Sequence, residues 1–107
     1  MDMNKQPFTA GFWTVRPGKE AEFIRAWDDF AHWTSRTLPG AGDAYLLQDL
    51  DKPNRFLSAG PWDSAEDINE WRSMPQFKEF IARARELCEE VQPATMKQVG
   101  VSSSGIK

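Results

Sequence analysis

The sequence predicts an α+β domain with a ferredoxin-like βαββαβ order, in which a four-stranded antiparallel sheet carries both helices on one face. Stretches whose apolar residues recur every two residues, as is typical of strands, alternate with stretches whose apolar residues recur every three or four residues, as is typical of helices. Their order gives two βαβ-like halves joined by one hairpin, the signature of the split βαβ fold. The 107 residues suffice for one compact domain and are too few for two.

The first half begins with a strand at Phe8–Val15, which is rich in aromatic and β-branched residues. Both of its faces are apolar, so it needs cover on both sides. Pro17 and Gly18 break the strand. A helix is predicted from about Lys19 to Thr37, where residues spaced three and four apart form one apolar stripe. The stripe consists of Phe23, Ile24, Trp27, Phe30, Ala31, Thr34 and Leu38, with Ala26 and Trp33 at its edges.

Two further strands are predicted at residues 44–50 and 55–62, and the turn "DKPN" at 51–54 joins them into a hairpin. Pro61 indicates that the second of these strands ends or bulges there, because proline cannot donate to the ladder. The hairpin therefore supplies the two central elements of the βαββαβ order.

The second helical region opens with cap residues. Asp63 and Ser64 can each cap it, with Glu66 and Asp67 three positions further on as capping-box partners. Pro75 breaks or kinks the helix at "MPQ".

An amphipathic stretch follows this break, and we expect it to run as a helix up to Pro93, with a last strand at residues 95–101. Its apolar face consists of Phe77, Phe80, Ile81, Ala84, Leu87, Cys88 and Val91. The predicted organisation is an N-terminal tail at residues 1–7, one domain at 8–101 and a flexible tail at 102–107.

Composition excludes several classes of protein. A net charge of −3 without a basic stripe argues against a nucleic-acid partner. No stretch is long and apolar enough to cross a membrane, and the N-terminus lacks the apolar run of a signal peptide. The single cysteine, Cys88, excludes an internal disulfide and indicates a cytoplasmic protein, with the thiol as a packing residue. The single histidine, His32, is expected on the solvent side of the helix. One histidine without clustered carboxylates cannot form a plausible metal site, so none is expected.

Five tryptophans and seven phenylalanines are more aromatic surface than a small domain hides easily. Outward positions on the sheet, such as Phe12 and Leu57, would leave a hydrophobic face in water. We therefore expect a homodimer packed through the sheet face. A ligand-filled cavity would absorb a further part of the aromatic surface.

Three segments resemble the antibiotic biosynthesis monooxygenase (ABM) family of dimeric α/β barrels. They are "VRPGKEAEFIRAW" at 15–27, "LPGAGDAYLLQDL" at 38–50 and "RFLSAGPWDSAEDINEWRSMPQF" at 55–77. The resemblance extends from about residue 8 to residue 101. It implies a dimeric α/β barrel and, in one branch of the family, cofactor-independent oxidation of polycyclic aromatics with O2 to quinones.

The resemblance also implies positions for functional residues. In the quinone-forming branch the strand-ending tryptophan corresponds to Trp62, while Ser58 stands at the asparagine position and Ile68 at the tyrosine position. Arg83 falls near the arginine position. In the haem-degrading branch Trp71 matches the helix tryptophan, but Ile81 and Gly11 stand at or near the positions of the haem-ligating histidine and the asparagine, so haem is not expected.

We expect the substrate pocket to lie between the sheet and the helices, because pockets for aromatic ligands have apolar walls with few polar groups. Its predicted residues are Trp13, Trp33, Ser58, Trp62 and Trp71. Trp62 and Trp71 would position the ring, while Ser58 or an indole N–H would stabilise the developing anion. Core filling is the alternative for each tryptophan.

The remaining polar candidate is Arg72, which flanks Trp71 on the helix together with Asn69. It can pair with an acidic or phenolate ligand, but we expect a surface salt bridge. No residue is a clear general base, and the catalytic residues stay unassigned.

The sequence favours a monooxygenase that oxidises a small phenol- or quinol-like aromatic with O2 and without a cofactor. A non-catalytic, stress-related or ligand-sequestering barrel with the same cavity is the alternative. A plain dimerisation module with fully packed tryptophans is a third interpretation.

Overall fold

Seven elements make up the fold in the computed structural model, which describes residues 6–102. They are β1 (Pro7–Val15), α1 (Glu20–Thr37), β2 (Tyr45–Gln48), β3 (Arg55–Pro61), α2 (Ala65–Ser73), α3 (Pro75–Leu87) and β4 (Cys88–Lys97). The predicted tails fall largely at residues 1–5 and 103–107, outside the described residues.

The four strands form one antiparallel sheet in the order β2-β3-β1-β4. The strand β1 lies inside the sheet, so Gly11 has Ser58 of β3 and Pro93 of β4 as its Cα partners. This arrangement confirms the predicted ferredoxin-like fold. The helices cover one of the two apolar faces of β1, the face of Trp13 and Val15.

The long helix α1 buries one face and ends at Thr37, as the sequence predicts. Phe23 and Thr34 are buried, and Glu20 and Glu22 lie in the first turn, where negative charge complements the helix dipole. Leu38 is extended, as expected for a residue before a proline, and its N–H still donates to the carbonyl of Thr34.

The second helical region is divided into two helices, as the prolyl break predicts. The Ser64 hydroxyl caps α2 by accepting a hydrogen bond from the N–H of Asp67 at 3.1 Å. Met74 is extended, and Pro75 is the first residue of α3. Proline fits this position because an N–H in the first turn of a helix has no acceptor within the helix.

The predicted end of the last helix is wrong. Helix α3 ends at Leu87, and Cys88 to Lys97 form β4, so Cys88 and Val91 belong to a strand and Pro93 lies within it. A helical spacing of buried residues does not distinguish this strand start from a further turn of helix. The strand β4 tolerates Pro93 because it lies at the end of the sheet order, where one side has no neighbouring strand among the described residues.

The core consists of two clusters beneath the helices. The larger contains Trp13, Val15, Phe23, Phe56, Phe80, Ala84, Leu87 and Cys88. The smaller contains Leu38, Trp62 and Ile68, with Ala41, Trp71 and Met74 packed against it. Residues of both clusters line the cavity described below.

The opposite face of the sheet is apolar and uncovered. Phe12 is 43% exposed although its strand neighbours Gly11 and Trp13 are buried, and its Cα partner Leu57 is 36% exposed. Tyr45, Leu47 and Met96 add exposed apolar surface. The pairing of Leu47 with Leu57 makes this surface continuous across three strands.

No helix among residues 6–102 has both the length and the apolar character that a bilayer crossing requires.

The buried and exposed sides of α1 predict different mutational costs. Phe23→Ala removes a side chain with 0% exposure, so we expect a loss of about 3–5 kcal/mol in the free energy of unfolding. Ile24→Ala, at the adjacent position with 40% exposure, is expected to cost less than about 1 kcal/mol. Urea titration followed by circular dichroism measures both, and equal costs would contradict the assigned orientation of α1.

Candidate functional site

A cavity of about 80 Å³ lies between the covered face of the sheet and the helices. Its walls are mainly aromatic, from Trp13, Trp27, Phe30, Trp62, Trp71, Phe77 and Phe80. The polar side chains in the wall are Thr9, Thr34, Ser58 and Arg72. An apolar enclosure with a few polar groups is the usual composition of a site for a small organic ligand.

The indole N–H groups of three cavity tryptophans each donate a hydrogen bond to a hydroxyl. The pairs are Trp13 to Ser58 Oγ at 3.1 Å, Trp62 to Thr9 Oγ1 at 3.0 Å and Trp71 to Thr34 Oγ1 at 3.0 Å. A buried indole N–H needs such an acceptor, because an unpaired donor costs about 1–3 kcal/mol. The pairs therefore hold the three rings by their polar edges.

Of the two kinds of donor expected to stabilise a ligand anion, the Ser58 hydroxyl and an indole N–H, these pairs already occupy the indole donors of Trp13, Trp62 and Trp71. The hydroxyls are therefore among the donors that remain for a ligand. A hydroxyl that accepts one hydrogen bond still has its own proton to donate. Ser58 and Thr34 are both buried, which removes competition from solvent.

The aromatic wall is built around Phe30. Its ring stacks on Phe80 with centroids 4.5 Å apart and on Trp71 with centroids 5.5 Å apart. The Phe77 ring meets Trp71 edge-on at 4.7 Å. Offset stacked and edge-to-face contacts of this kind add about 0.5–1.5 kcal/mol each beyond their buried area.

The structure brings four of the five predicted pocket residues to the cavity and leaves one out. Trp13, Ser58, Trp62 and Trp71 line it. Trp33 does not, because its ring stacks on Phe30 at 5.7 Å rather than entering the wall. Trp27 and Phe30, which the sequence places on the apolar stripe of α1, lie in the wall instead.

A glycine makes room for the Trp13 ring. A Cβ atom on Gly11 would lie 2.5 Å from Cζ2 of Trp13, closer than atoms can approach. The indole thus lies over the backbone of its own strand, two residues earlier on the same face. The position needs glycine for this close approach rather than for an unusual backbone angle.

Arg72 contributes the only ionisable side chain of the cavity lining within the described part of the chain. Its guanidinium reaches from α2 to β4, where Nη2 donates to the carbonyl of Ala94 at 3.0 Å and Nη1 donates to Thr95 Oγ1. Its Nε is buried and has no hydrogen-bond partner among the described residues. Desolvation by burial lowers the pKa of Arg72 from its ordinary value.

The expected surface salt bridge of Arg72 is not found among residues 6–102, where no carboxylate lies within 4.0 Å of it. The side chain turns toward β4 and the cavity instead. The other arginine that the resemblance brought forward, Arg83, is exposed and pairs with Glu22 and Glu86 at 3.1 and 3.3 Å. It is not part of the cavity lining.

The single histidine lies away from the cavity. His32 is exposed on α1, with Nδ1 2.8 Å from the carbonyl oxygen of Asp28. As far as residues 6–102 form it, the cavity wall contains neither an imidazole nor a carboxylate. None of these lining residues therefore offers a cavity ligand a carboxylate or imidazole as proton acceptor.

The fold and the cavity define the class of this chain: a ferredoxin-like domain with an aromatic, hydroxyl-bearing cavity under its helices. The chain also matches the antibiotic biosynthesis monooxygenase family over residues 9–83, more than half of its length. The chain belongs to this family, which confirms the resemblance noted in the sequence.

Solved structures share the fold. The crystal structure of an asparagine-to-alanine variant of SnoaB, a cofactor-independent oxygenase from Streptomyces nogalater, is 21% identical with a TM-score of 0.82, and the match covers 91% of this chain and 96% of that one. A second SnoaB crystal structure is 20% identical, with a TM-score of 0.79 and coverages of 94% and 97%. A conserved protein from Methanosarcina mazei Go1 is 16% identical, with a TM-score of 0.78 and coverages of 90% and 95%. Comparison with curated proteins gives no match.

The buried thiol of Cys88 gives a prediction about reactivity. Burial raises its pKa to about 11, so the nucleophilic thiolate is scarce below that pH in the folded protein. We expect negligible labelling by Ellman's reagent at pH 8 in the native state and stoichiometric labelling in guanidinium chloride. Rapid native labelling at pH 8 would contradict the burial of this side chain.

Proposed function

We propose that the chain is a cofactor-independent monooxygenase that oxidises a small phenol- or quinol-like aromatic with O2 inside the cavity. The observation that supports this most is the composition of the wall: stacked aromatic rings, buried hydroxyls and one cation that has no carboxylate partner among residues 6–102. Such a wall holds a flat ring and stabilises negative charge on it. Membership of the monooxygenase family supports the reaction type.

The reaction balances without a cofactor because the substrate supplies all the electrons. A phenol with a free para C–H reacts with O2 to give a quinone and water. The phenolate donates electron density to O2, and a C–O bond forms at the para carbon. The resulting peroxide takes up a proton. Loss of the C–H proton then breaks the O–O bond, leaving a carbonyl on the ring and releasing water.

The side chains promote these reaction steps by binding the ring and by stabilising its negative charge. The aromatic wall orients the ring and excludes water, which strengthens electrostatic interactions inside. Arg72 and the Ser58 hydroxyl stabilise the phenolate, as donors do when they are fixed where charge develops. Since the lining formed by residues 6–102 offers no carboxylate or imidazole as a base, we expect the phenolic proton to pass to solvent when the substrate binds.

A non-catalytic ligand-binding barrel is the second candidate. The lack of an acid–base residue in the lining favours it, since catalysis of proton transfer needs a positioned acid or base. The two functions share the cavity and differ in the consumption of O2.

We also propose that two copies pack through their exposed sheet faces. Five large apolar side chains on one sheet face support this, because a soluble monomer rarely exposes a continuous patch of that kind. A symmetric dimer would cover the outer side of β1 as the helices cover the inner side.

The catalytic proposal predicts O2 consumption matched by quinone formation with electron-rich phenols that have a free para C–H. Ser58→Ala is expected to lower kcat/KM about tenfold, since one hydrogen bond to the phenolate is lost. Ser35→Ala, on the exposed side of α1, is the matched control and should retain full activity. An oxygen electrode and absorbance spectroscopy measure both. Ligand binding without any O2 consumption would favour the second candidate.

The dimer proposal predicts that Leu57→Glu converts a dimer into a monomer, because it buries two carboxylates at the centre of the sheet face. Leu50→Glu, in the exposed turn between β2 and β3 where Leu50 is 98% exposed, should leave the dimer intact. Sedimentation velocity distinguishes the species. A monomeric native protein would contradict this arrangement.

A further inference from the structure

The geometry points to a narrower ligand class, resting on the proposed function: a single-ring aromatic bound as an oxyanion, with that oxygen accepting a hydrogen bond from Nε of Arg72. Arg72 is then the residue that selects the anionic form of the ligand. Charge and hydrogen bonding support the oxyanion at Arg72, and cavity size supports the single ring.

Charge supports it because the cavity holds a cation without a counter-ion. Arg72 is the only ionisable residue in the lining, and no carboxylate among residues 6–102 lies within 4.0 Å of it. A partly buried charge is costly unless it is paired. An anionic ligand would supply the missing partner, whereas a neutral ligand would leave the guanidinium uncompensated.

Hydrogen bonding supports it because the buried Nε donor has no partner among residues 6–102, so a ligand oxygen that reaches it as the cavity opens would satisfy it. The two terminal nitrogens are held on β4 by the Ala94 carbonyl and the Thr95 hydroxyl, so the guanidinium plane is fixed before a ligand arrives. A fixed donor gains a hydrogen bond without losing further side-chain freedom.

Cavity size supports a single ring. The volume of about 80 Å³ is smaller than the roughly 150 Å³ of an engineered apolar cavity that holds benzene. The walls must therefore move outward to admit even one ring. Three fused rings would require displacement of the stacked Phe30, Phe80 and Trp71, which pack with centroids 4.5–5.5 Å apart.

The experiment uses 4-nitrophenol as the probe, since its phenolate absorbs visible light and its ring is too electron-poor to react with O2. We expect the full-length protein to bind it and to lower its apparent pKa by about one unit, which corresponds to tenfold tighter binding of the anion. The methyl ether 4-nitroanisole, which cannot ionise, should bind at least about tenfold more weakly than the phenolate. The tricyclic phenol alizarin should also bind at least about tenfold more weakly.

Arg72→Met keeps the length of the side chain and removes its charge. We expect it to weaken phenolate binding about 10- to 100-fold, to abolish the pKa shift and to leave 4-nitroanisole binding unchanged. Arg72→Lys keeps the charge without the Nε donor and should retain part of the pKa shift. Arg83→Met removes an exposed guanidinium outside the cavity and should change nothing. Near-ultraviolet circular dichroism establishes that each variant is folded.

An unshifted pKa of bound 4-nitrophenol, or a shift that persists in folded Arg72→Met, would overturn the assignment of the anion to Arg72. Alizarin binding as tightly as 4-nitrophenol would overturn the single-ring limit. Because the probe is not oxidised, these results do not depend on catalysis. Absence of O2 consumption with every phenol would refute the proposed monooxygenase and leave this binding assignment in place.

Discussion

Burying several indole rings in one small domain requires internal acceptors for their N–H groups, and the site is organised around this constraint. Trp13, Trp62 and Trp71 find theirs in hydroxyls on β1, β3 and α1. Each ring is held by its polar edge while its faces meet other rings. The rings line the cavity instead of filling it, because collapse inward would break the hydrogen bonds.

The same residues connect the two sides of the domain. The Trp71 ring links α2 to α1 through Thr34, and the neighbouring Arg72 links α2 to β4 through Ala94 and Thr95. The short helix α2 thus carries an aromatic wall residue and the cavity cation on consecutive positions. Its Ser64 cap and the break before Pro75 determine where these two residues lie.

Local rules were sufficient for much of the fold. Aromatic and β-branched composition placed β1, the turn at 51–54 placed the hairpin of β2 and β3, and the cap residues Asp63 and Ser64 placed α2. The two-residue period of a strand put Trp13 under the helices. The start of β4 at Cys88 was missed, because a buried pair followed by Val91 fits helix and strand spacing equally well. Tertiary pairing with β1 decides between them, and no local signal reports it.

The site was less predictable than the fold for the same reason. Trp33 and Trp71 are similar residues on helical stripes, yet one stacks outside Phe30 and the other lines the cavity. The sequence predicts a surface position for Arg72, because its hydrogen-bond partners lie 22 and 23 positions away on the strand β4.

The central position of Phe30 has an evolutionary consequence. Four other aromatic rings surround this one side chain, so its size controls how much space they leave. Exchange at this single codon would alter the ligand dimensions that the chamber accepts. Arg72 and the sheet would be untouched. Variants at this position can therefore differ in the size of the chamber while inheriting the same cation in its wall.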